Sequence, residues 1–211
     1  MNQTAAFWDR IAAKYASKPV PDEAIYQQKL TLCRQYLSPQ SQVLEVGCGT
    51  GSTALALAPD TAHIRAIDFS SGMLEIARKK AAALGVSNVT FEQSDADQTG
   101  VAPSSVDTAL AMSVLHLVDN RDRTITGLYD ALKPGGICIT STACLSGRYR
   151  LLKPVLALGS MLGLLPRVRF FSIEELCASF LLAGFRVEKE WTPGSGPSTV
   201  LVLRKPRRES T

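Results

Sequence analysis

Residues Gln42 to Ser52 read QVLEVGCGTGS, an apolar run followed by three glycines within five residues. The apolar run predicts a strand over Gln42–Val46, and the residues after the glycines predict a helix over Ser52–Ala58. Glycine lets the backbone turn sharply between the two elements and lets a ligand approach with no Cβ in its way. The free N–H groups at the start of such a helix favour an anionic group on that ligand.

The rest of the chain continues this alternation of strand and helix, which predicts a parallel sheet with helices on both faces. The last two predicted strands have no helix between them and should pair antiparallel. We therefore expect a Rossmann-like, doubly wound α/β fold with a mostly parallel seven-stranded sheet and one antiparallel strand near the edge. The predicted strands after the first are His63–Ile67 ending at Asp68, Asn88–Glu92, Val106–Met112, Ile137–Thr142, Phe185–Trp191 and Thr199–Leu203. The other predicted helices are Asn2–Tyr15, Asp22–Leu37, Ser71–Leu84, Asp119–Leu132 and Ser172–Ala183.

The 211 residues are enough for a single domain with a sizeable core. Within this domain, residues 1–40 predict an N-terminal helical cap, and residues 41–142 predict the core that carries the glycine loop. Residues 143–171 interrupt the alternation, and residues 172–205 predict a C-terminal helix and strand pair.

The composition indicates a globular protein, with 45% apolar and 20% charged residues. The net charge of +4 is mild, and it does not indicate a nucleic-acid partner. Much of it comes from two local groups, Arg148, Arg150, Lys153, Arg167 and Arg169, and the tail Arg204, Lys205, Arg207 and Arg208.

Five scattered cysteines without a CxxC spacing, and only two histidines, argue against a disulfide framework or a metal site. We expect a reducing, cytoplasmic location.

The N-terminal residues do not have the pattern of a signal peptide, and no apolar run is long enough for a transmembrane helix. The oligomeric state cannot be inferred from the sequence.

Three acidic residues lie at the ends of the first three predicted strands: Glu45, Asp68 and Asp95. A carboxylate at Glu45 would repel a pyrophosphate but attract a cation, and a unit charge pair at ~4 Å and an effective dielectric of ~20 is worth about 4 kcal/mol before desolvation. Asp68 is placed to accept hydrogen bonds from a ribose diol, and Asp95 from an adenine amino group. These demands fit S-adenosylmethionine, which carries an ammonium, a sulfonium and adenosine but no phosphate.

The sequence resembles the class I S-adenosylmethionine-dependent methyltransferases. VLEVGCGTG is similar to their first motif and AIDFSSGMLEIARKKA to their ribose-binding segment, and SDAD, VDTALAMSVLHLVDN and LKPGGICIT follow in the same order. The opening FWDRIAAKY resembles the small-molecule branch that includes quinone-biosynthesis methyltransferases. Members of that branch often have Asp after the tyrosine, where this chain has Ala16.

The resemblance implies a role for each matching residue. It implies that S-adenosylmethionine is the cofactor and S-adenosylhomocysteine the product. The implied cofactor-binding residues are Glu45, Gly47, Cys48, Gly49 and Gly51 for the methionine part, Asp68 for the ribose, Phe69 and Met73 for packing on the adenosine, Asp95 and Ala96 for the adenine, and Met112 where the cofactor meets the acceptor.

Two residues are candidates for catalysis. His116 follows the fourth strand, where the methyl group should point, and an imidazole with a pKa near ~6.5 is suited to accept a proton. A structural histidine bonded to the backbone is the alternative. Tyr15 is placed to cover the methionine end from the first helix, although core packing is an equally simple explanation.

The segment Cys144–Arg169 is long, apolar and basic at its flanks. Three interpretations are open for it: a lid over an apolar acceptor, a helix pair that buries its leucines on the core, and peripheral membrane contact through residues 148–169.

The predicted function is methyl transfer from S-adenosylmethionine to a small, apolar or aromatic molecule by direct in-line displacement. The alternatives are a non-catalytic S-adenosylmethionine-binding module and an NAD-dependent oxidoreductase. Glu45 and the serine at the third glycine position of the dinucleotide pattern GxGxxG disfavour the oxidoreductase.

Overall fold

The computed structural model of the chain describes residues 3–194 and 196–207, without the side chains of residues 3, 4 and 148. The predictions that concern Asn2, Arg208 and the Arg148 side chain lie outside this part of the chain. The strands are β1 (Gln42–Val46), β2 (His63–Asp68), β3 (Val89–Gln93), β4 (Val106–Met112), β5 (Leu132–Ala143), β6 (Arg186–Trp191) and β7 (Ser198–Arg204). The α-helices are α1 (Gln3–Ala16), α2 (Glu23–Arg34), α3 (Ser52–Leu57), α4 (Ser71–Leu84), α5 (Arg121–Ala131), α6 (Lys153–Met161) and α7 (Ile173–Leu182).

The seven strands form one sheet in the order β3-β2-β1-β4-β5-β7-β6. The pairs on the β3 side of the sheet are parallel, and β7 is antiparallel to both β5 and β6. The mostly parallel sheet with one reversed strand near the edge is therefore confirmed. In this order the chain reverses direction between β1 and β4, and open α/β sheets bind ligands in the crevice at such a point.

Apolar clusters on both faces of the sheet hold the fold together. Val43, Ile64 and Leu110 belong to the cluster that packs against α2, α3 and α4, whereas Leu44 and Ile67 belong to the cluster that packs against α5 and α7. Neighbouring strand residues thus face opposite clusters, as the two-residue period of a strand requires. A sheet that is covered on both faces leaves its carboxyl edge as the open side for a ligand.

Polar caps begin several of the helices. Ser70 accepts a hydrogen bond from the Met73 N–H at the start of α4, and Asn120 accepts one from the Arg123 N–H at the start of α5. Ser172 and Glu175 form a reciprocal capping box at the start of α7. Helix α4 starts at the predicted residue, whereas α5 and α7 start two residues and one residue later than predicted.

The stretch KPGG between α5 and β5 departs from the sequence prediction. The structure begins β5 at Leu132, five residues before the predicted start at Ile137. Leu132 pairs with Val106 while Ile137 pairs with Thr108, so the residues between them bulge out of the ladder. The Gly135 N–H donates to the Lys205 carbonyl at 2.8 Å, which keeps the bulge attached to the sheet.

Candidate cofactor and acceptor site

One cavity of about 720 Å³ opens at the carboxyl edge of β1, β2 and β4. This volume is in the range of small-molecule and cofactor sites. Ten of the eleven predicted cofactor-binding residues line it, namely Glu45, Gly47, Cys48, Gly49, Asp68, Phe69, Met73, Asp95, Ala96 and Met112. The structure therefore brings residues from four separate sequence motifs to one wall of one cavity.

Glu45 is the most unusual side chain in this cavity. Its exposed fraction is 2%, and its Oε2 atom has no hydrogen-bond partner among the described residues. The pKa of Glu45 is raised to about 8, first by burial and then by the nearby Asp68 carboxylate, against a hydrogen bond from the Ala54 backbone. A buried acceptor atom without a donor is costly. A cationic hydrogen-bond donor entering the cavity would remove that cost, and the ammonium group of S-adenosylmethionine is such a donor.

Asp68 fixes the glycine loop to the end of β2. Its Oδ2 accepts from the Gly49 N–H at 2.8 Å, and its Oδ1 accepts from the Ser70 N–H at 2.9 Å. Burial raises the pKa of Asp68, and these N–H groups oppose the rise. Because each carboxylate oxygen has a second lone-pair direction, Asp68 can still accept from a ligand in the cavity.

The three loop glycines have different tasks. All three have positive φ angles. A Cβ on Gly47 would come within 2.3 Å of Val114, and a Cβ on Gly51 would come within 2.9 Å of Phe91. A Cβ on Gly49 would meet nothing within 4 Å, so this glycine faces open cavity. Gly51 does not line the cavity, and it permits close packing against α4 and β3 instead.

The catalytic role predicted for His116 stays a prediction. It is not among the described residues that line the cavity, and its Nδ1 atom is buried and has no hydrogen-bond partner in the described part of the chain. Burial lowers the pKa of His116 to about 4. Its carbonyl accepts from the Arg169 N–H at 2.8 Å, so the residue helps to anchor the chain that returns from α6.

Tyr15 does line the cavity, and its exposed fraction of 50% shows that it is not a core residue. Its ring packs edge-to-face on Trp8 at 6.0 Å, and Trp8 lines the cavity as well. Helix α1 therefore supplies an aromatic wall.

The attachment of α1 to the core was missed by sequence reasoning. Asp9 accepts hydrogen bonds from the Ser70 hydroxyl at 2.7 Å and from the Gly72 N–H at 2.9 Å. These contacts fasten α1 to the start of α4, directly beside Asp68. The sequence gives no signal for a contact between residues so far apart in the chain.

Two lysines in the cavity wall were also not predicted. Lys80 donates to the Thr50 hydroxyl at 2.9 Å beside the glycine loop. Lys29 donates to the Ser198 hydroxyl at 3.4 Å, and burial lowers the pKa of both lysines. Ser198 belongs to β7, which is three strands away from β1 along the sheet.

The structure does not place the segment 144–169 over the cavity, because none of its described residues lines it. The expectation that its leucines are buried on the core is wrong, since α6 has no buried residue. The lid stays a prediction without a contact to support it.

Residues 43–136 match the family described as "Methyltransferase domain". This region contains a methyltransferase domain. Over 104 residues the chain is 36% identical to a demethylmenaquinone methyltransferase of Clavibacter sepedonicus, a match that covers 48% of this chain and 42% of that enzyme. The chain thus spans less than half the length of this curated relative.

Solved structures show the same fold. A geranyl diphosphate C-methyltransferase from Streptomyces coelicolor A3(2), in complex with Mg²⁺, geranyl diphosphate and S-adenosyl-L-homocysteine, matches with a TM-score of 0.72 and 13% identity, over 87% of this chain and 80% of that one. The [4+2]-cyclase SpnF matches with a TM-score of 0.73 and 23% identity, over 85% and 80%. Because a methyltransferase and a cyclase both match, the fold alone does not determine the reaction.

Proposed function

We propose that this chain binds S-adenosylmethionine and transfers its methyl group to a small, apolar or aromatic molecule. The observation that carries the proposal is the buried Glu45 carboxyl group, which lines the cavity next to the glycine loop and has one oxygen without a hydrogen-bond partner among the described residues. A dinucleotide would bring a pyrophosphate to this loop, and the carboxylate would repel it. A cationic ligand matches both the charge and the missing hydrogen bond.

The proposed binding residues follow the order of the strands. Glu45 at β1 would hold the ammonium group, and Asp68 at β2 the ribose diol. Asp95 and Ala96, after β3, would contact the adenine. Phe69 and Met73 flank the same part of the cavity and supply apolar contacts for the adenosine.

The acceptor would occupy the part of the cavity beyond Met112. Apolar side chains predominate there, from α1, from the loop before α2 and from the loop after β4. They are Trp8, Tyr15, Pro19, Val20, Leu117 and Val118. This lining favours an apolar or aromatic acceptor.

The methyl group of the bound cofactor is already activated, so the protein's task is mainly positioning. Holding the acceptor in line with that methyl group can supply ~7–11 kcal/mol of the acceleration. Asp9 would contribute indirectly, because it fastens α1 and with it the aromatic wall of Trp8 and Tyr15 to the cofactor-binding core.

The test is methyl transfer from isotopically labelled S-adenosylmethionine to a mixture of small phenols, quinols and isoprenoids, with formation of labelled product as the readout. We expect label in an extractable small molecule, and loss of transfer in Tyr15→Ala with S-adenosylhomocysteine binding retained. Tight cofactor binding without any transfer would instead support a non-catalytic binding module. Binding of NAD without binding of S-adenosylhomocysteine would support the oxidoreductase alternative.

A further inference from the structure

An exposed apolar surface lies between β5 and α7, outside the cavity. Of the fourteen large apolar side chains that are exposed in the described chain, eight belong to residues 151–165. We call these eight the apolar surface. Among them, Leu151, Met161 and Leu164 have exposed fractions of 82%, 84% and 68%. Scattered exposed leucines are ordinary, but a contiguous group of this size marks an interaction site.

The apolar surface is a formed structure. Val155, Leu158 and Leu162 lie along α6 and its C-cap at the spacing of three and four residues that lines up side chains on one face of a helix, and Leu151 precedes them in a short 3-10 helix, Gly147–Leu152. After α6 the chain folds back, because the N–H groups of Leu164 and Leu165 both donate to the Gly159 carbonyl at 2.8 and 3.1 Å.

Contact between Leu165 and Gly159 also tightens this turn. A Cβ on Gly159 would lie 2.6 Å from the end of the Leu165 side chain, so the present position of that side chain relies on the glycine. The exposed side chains are therefore presented by a defined helix and turn.

The charge around the apolar surface indicates its partner. Residues 144–169 contain five basic residues and no acidic residue. Arg167 and Arg169 pair with Asp119, at 3.6 and 2.9 Å. Among the ion pairs of the described residues, none involves Arg150 or Lys153, and both are exposed. A second copy of the chain would bring like charges together, whereas anionic lipid head groups would complement them.

We propose that residues 150–165 dock this protein onto a lipid membrane with anionic head groups. The apolar side chains would enter the interfacial region, and Arg150 and Lys153 would contact the head groups. Among the described residues, no helix has the length and apolar character of a membrane span.

Two contacts join the chain segment that carries the apolar surface to the walls of the cavity. Arg10 of α1 donates to the Gly163 carbonyl, and α1 also carries Trp8 and Tyr15 of the cavity wall. Arg169 pairs with Asp119, another cavity-lining residue. If the proposed function holds, a membrane-bound protein would take its apolar acceptor from the lipid phase. The docking itself does not depend on methyl transfer.

The experiment is flotation of the purified chain with vesicles of phosphatidylcholine and phosphatidylglycerol in a 3:1 ratio, compared with pure phosphatidylcholine. We expect flotation with the anionic vesicles, weakened by high salt. Leu158→Ser with Met161→Ser should lower the partition coefficient roughly 50-fold. The matched control is Leu84→Ser with Leu182→Ser, which removes two equally exposed apolar side chains elsewhere and should leave binding unchanged.

A second pair of substitutions tests the contribution of the basic side chains to binding. Arg150→Gln with Lys153→Gln should weaken binding to the anionic vesicles roughly 30-fold. Arg186→Gln with Lys189→Gln removes two exposed charges on β6 and should not weaken it. All variants alter only exposed side chains, and unfolding by urea checks that they fold like the parent.

Three results would overturn the proposal: no flotation with the anionic vesicles, flotation that survives both test pairs, or a concentration-dependent dimer in solution that the Leu158→Ser, Met161→Ser pair abolishes. The last result would show that a second copy covers this surface. None of these results bears on S-adenosylhomocysteine binding, so failure of the docking proposal is distinguishable from failure of the proposed function.

Discussion

Replacing Glu45 by glutamine should stabilise the ligand-free protein and at the same time weaken cofactor binding. The Glu45 carboxyl is buried, and one of its oxygens has no partner among the described residues, so the charged form is costly in the folded state. Glutamine has nearly the same shape and carries no charge. Its oxygen can keep the hydrogen bond from the Ala54 backbone, and its NH₂ group would lie near the Asp68 carboxylate.

The magnitude follows from the pKa of Glu45, which rises from an ordinary value of 4.5 to about 8. In the unfolded chain the carboxyl loses its proton near pH 4.5, whereas in the folded protein it keeps the proton up to about pH 8. The unfolded state therefore binds fewer protons in this window, and the free energy of unfolding falls as the pH rises. A shift of about 3.5 units corresponds to about 5 kcal/mol as an upper value, of which about 3 kcal/mol is already lost at pH 7.

The assay is urea unfolding of the wild type and of Glu45→Gln at pH 5, 7 and 9 without ligand. The advantage of the variant should be small at pH 5 and should grow to several kcal/mol at pH 9. Glu75→Gln is the matched control. It removes an exposed carboxylate that pairs with Lys79, and it should change the free energy of unfolding little at any of the three pH values. A Glu45→Gln variant that is less stable than the wild type at pH 9 would refute the reasoning, because it would mean that the charged carboxylate is satisfied in the folded protein.

Three further predictions concern the loop, the first helix and the histidine. Gly49→Ala should reduce the free energy of unfolding by about 1–2 kcal/mol through its left-handed backbone and should abolish S-adenosylhomocysteine binding in calorimetry. Gly47→Ala should unfold at a lower urea concentration than Gly49→Ala, because its Cβ clashes with a valine. Equal effects of the two substitutions on stability would contradict the different roles of these glycines. Asp9→Ala should lower the free energy of unfolding by about 1–2 kcal/mol, since it removes the hydrogen bonds that Asp9 accepts from the Ser70 hydroxyl and the Gly72 N–H. An unchanged urea midpoint would show that α1 is held by other contacts. His116→Gln should keep most of the methyl transfer measured at pH 7, and a loss of ~10²-fold or more would restore the histidine as the general base.

The elements that the sequence predicted well are those with a local cause. The strand over Gln42–Val46 has the predicted bounds because its apolar run is local. The helix over Ser71–Leu84 has them because its apolar period is flanked directly by a serine cap and a closing glycine. The cavity wall was predictable for a similar reason. The glycine loop, Asp68 and Asp95 each sit at a strand end, and parallel strands bring their ends to one edge.

The parts that could not be predicted depend on contacts between distant residues. The pairing of β5 with β4 extends the strand through a Pro-Gly-Gly stretch that the local sequence marks as a stop. Asp9 and Lys29 reach the site only through the packing of α1 and α2 onto the core. His116 follows β4 at a promising distance in sequence, yet its side chain lies outside the cavity wall. The exposure of residues 151–165 could not be predicted either, since apolar composition alone does not distinguish a buried helix from an exposed one.

The most direct test of the account is calorimetric titration of the protein with S-adenosylhomocysteine at pH 6 and pH 7.5, each in two buffers of different ionisation enthalpy. The ammonium group requires a charged Glu45, and this carboxyl is mostly protonated below its pKa of about 8. We predict release of close to one proton on binding at pH 6, and an affinity that rises with pH roughly tenfold per unit up to the pKa. Both effects should be absent in Glu45→Gln. Binding that is independent of pH and releases no proton in the wild type, or a site that takes NAD and not S-adenosylhomocysteine, would contradict the account.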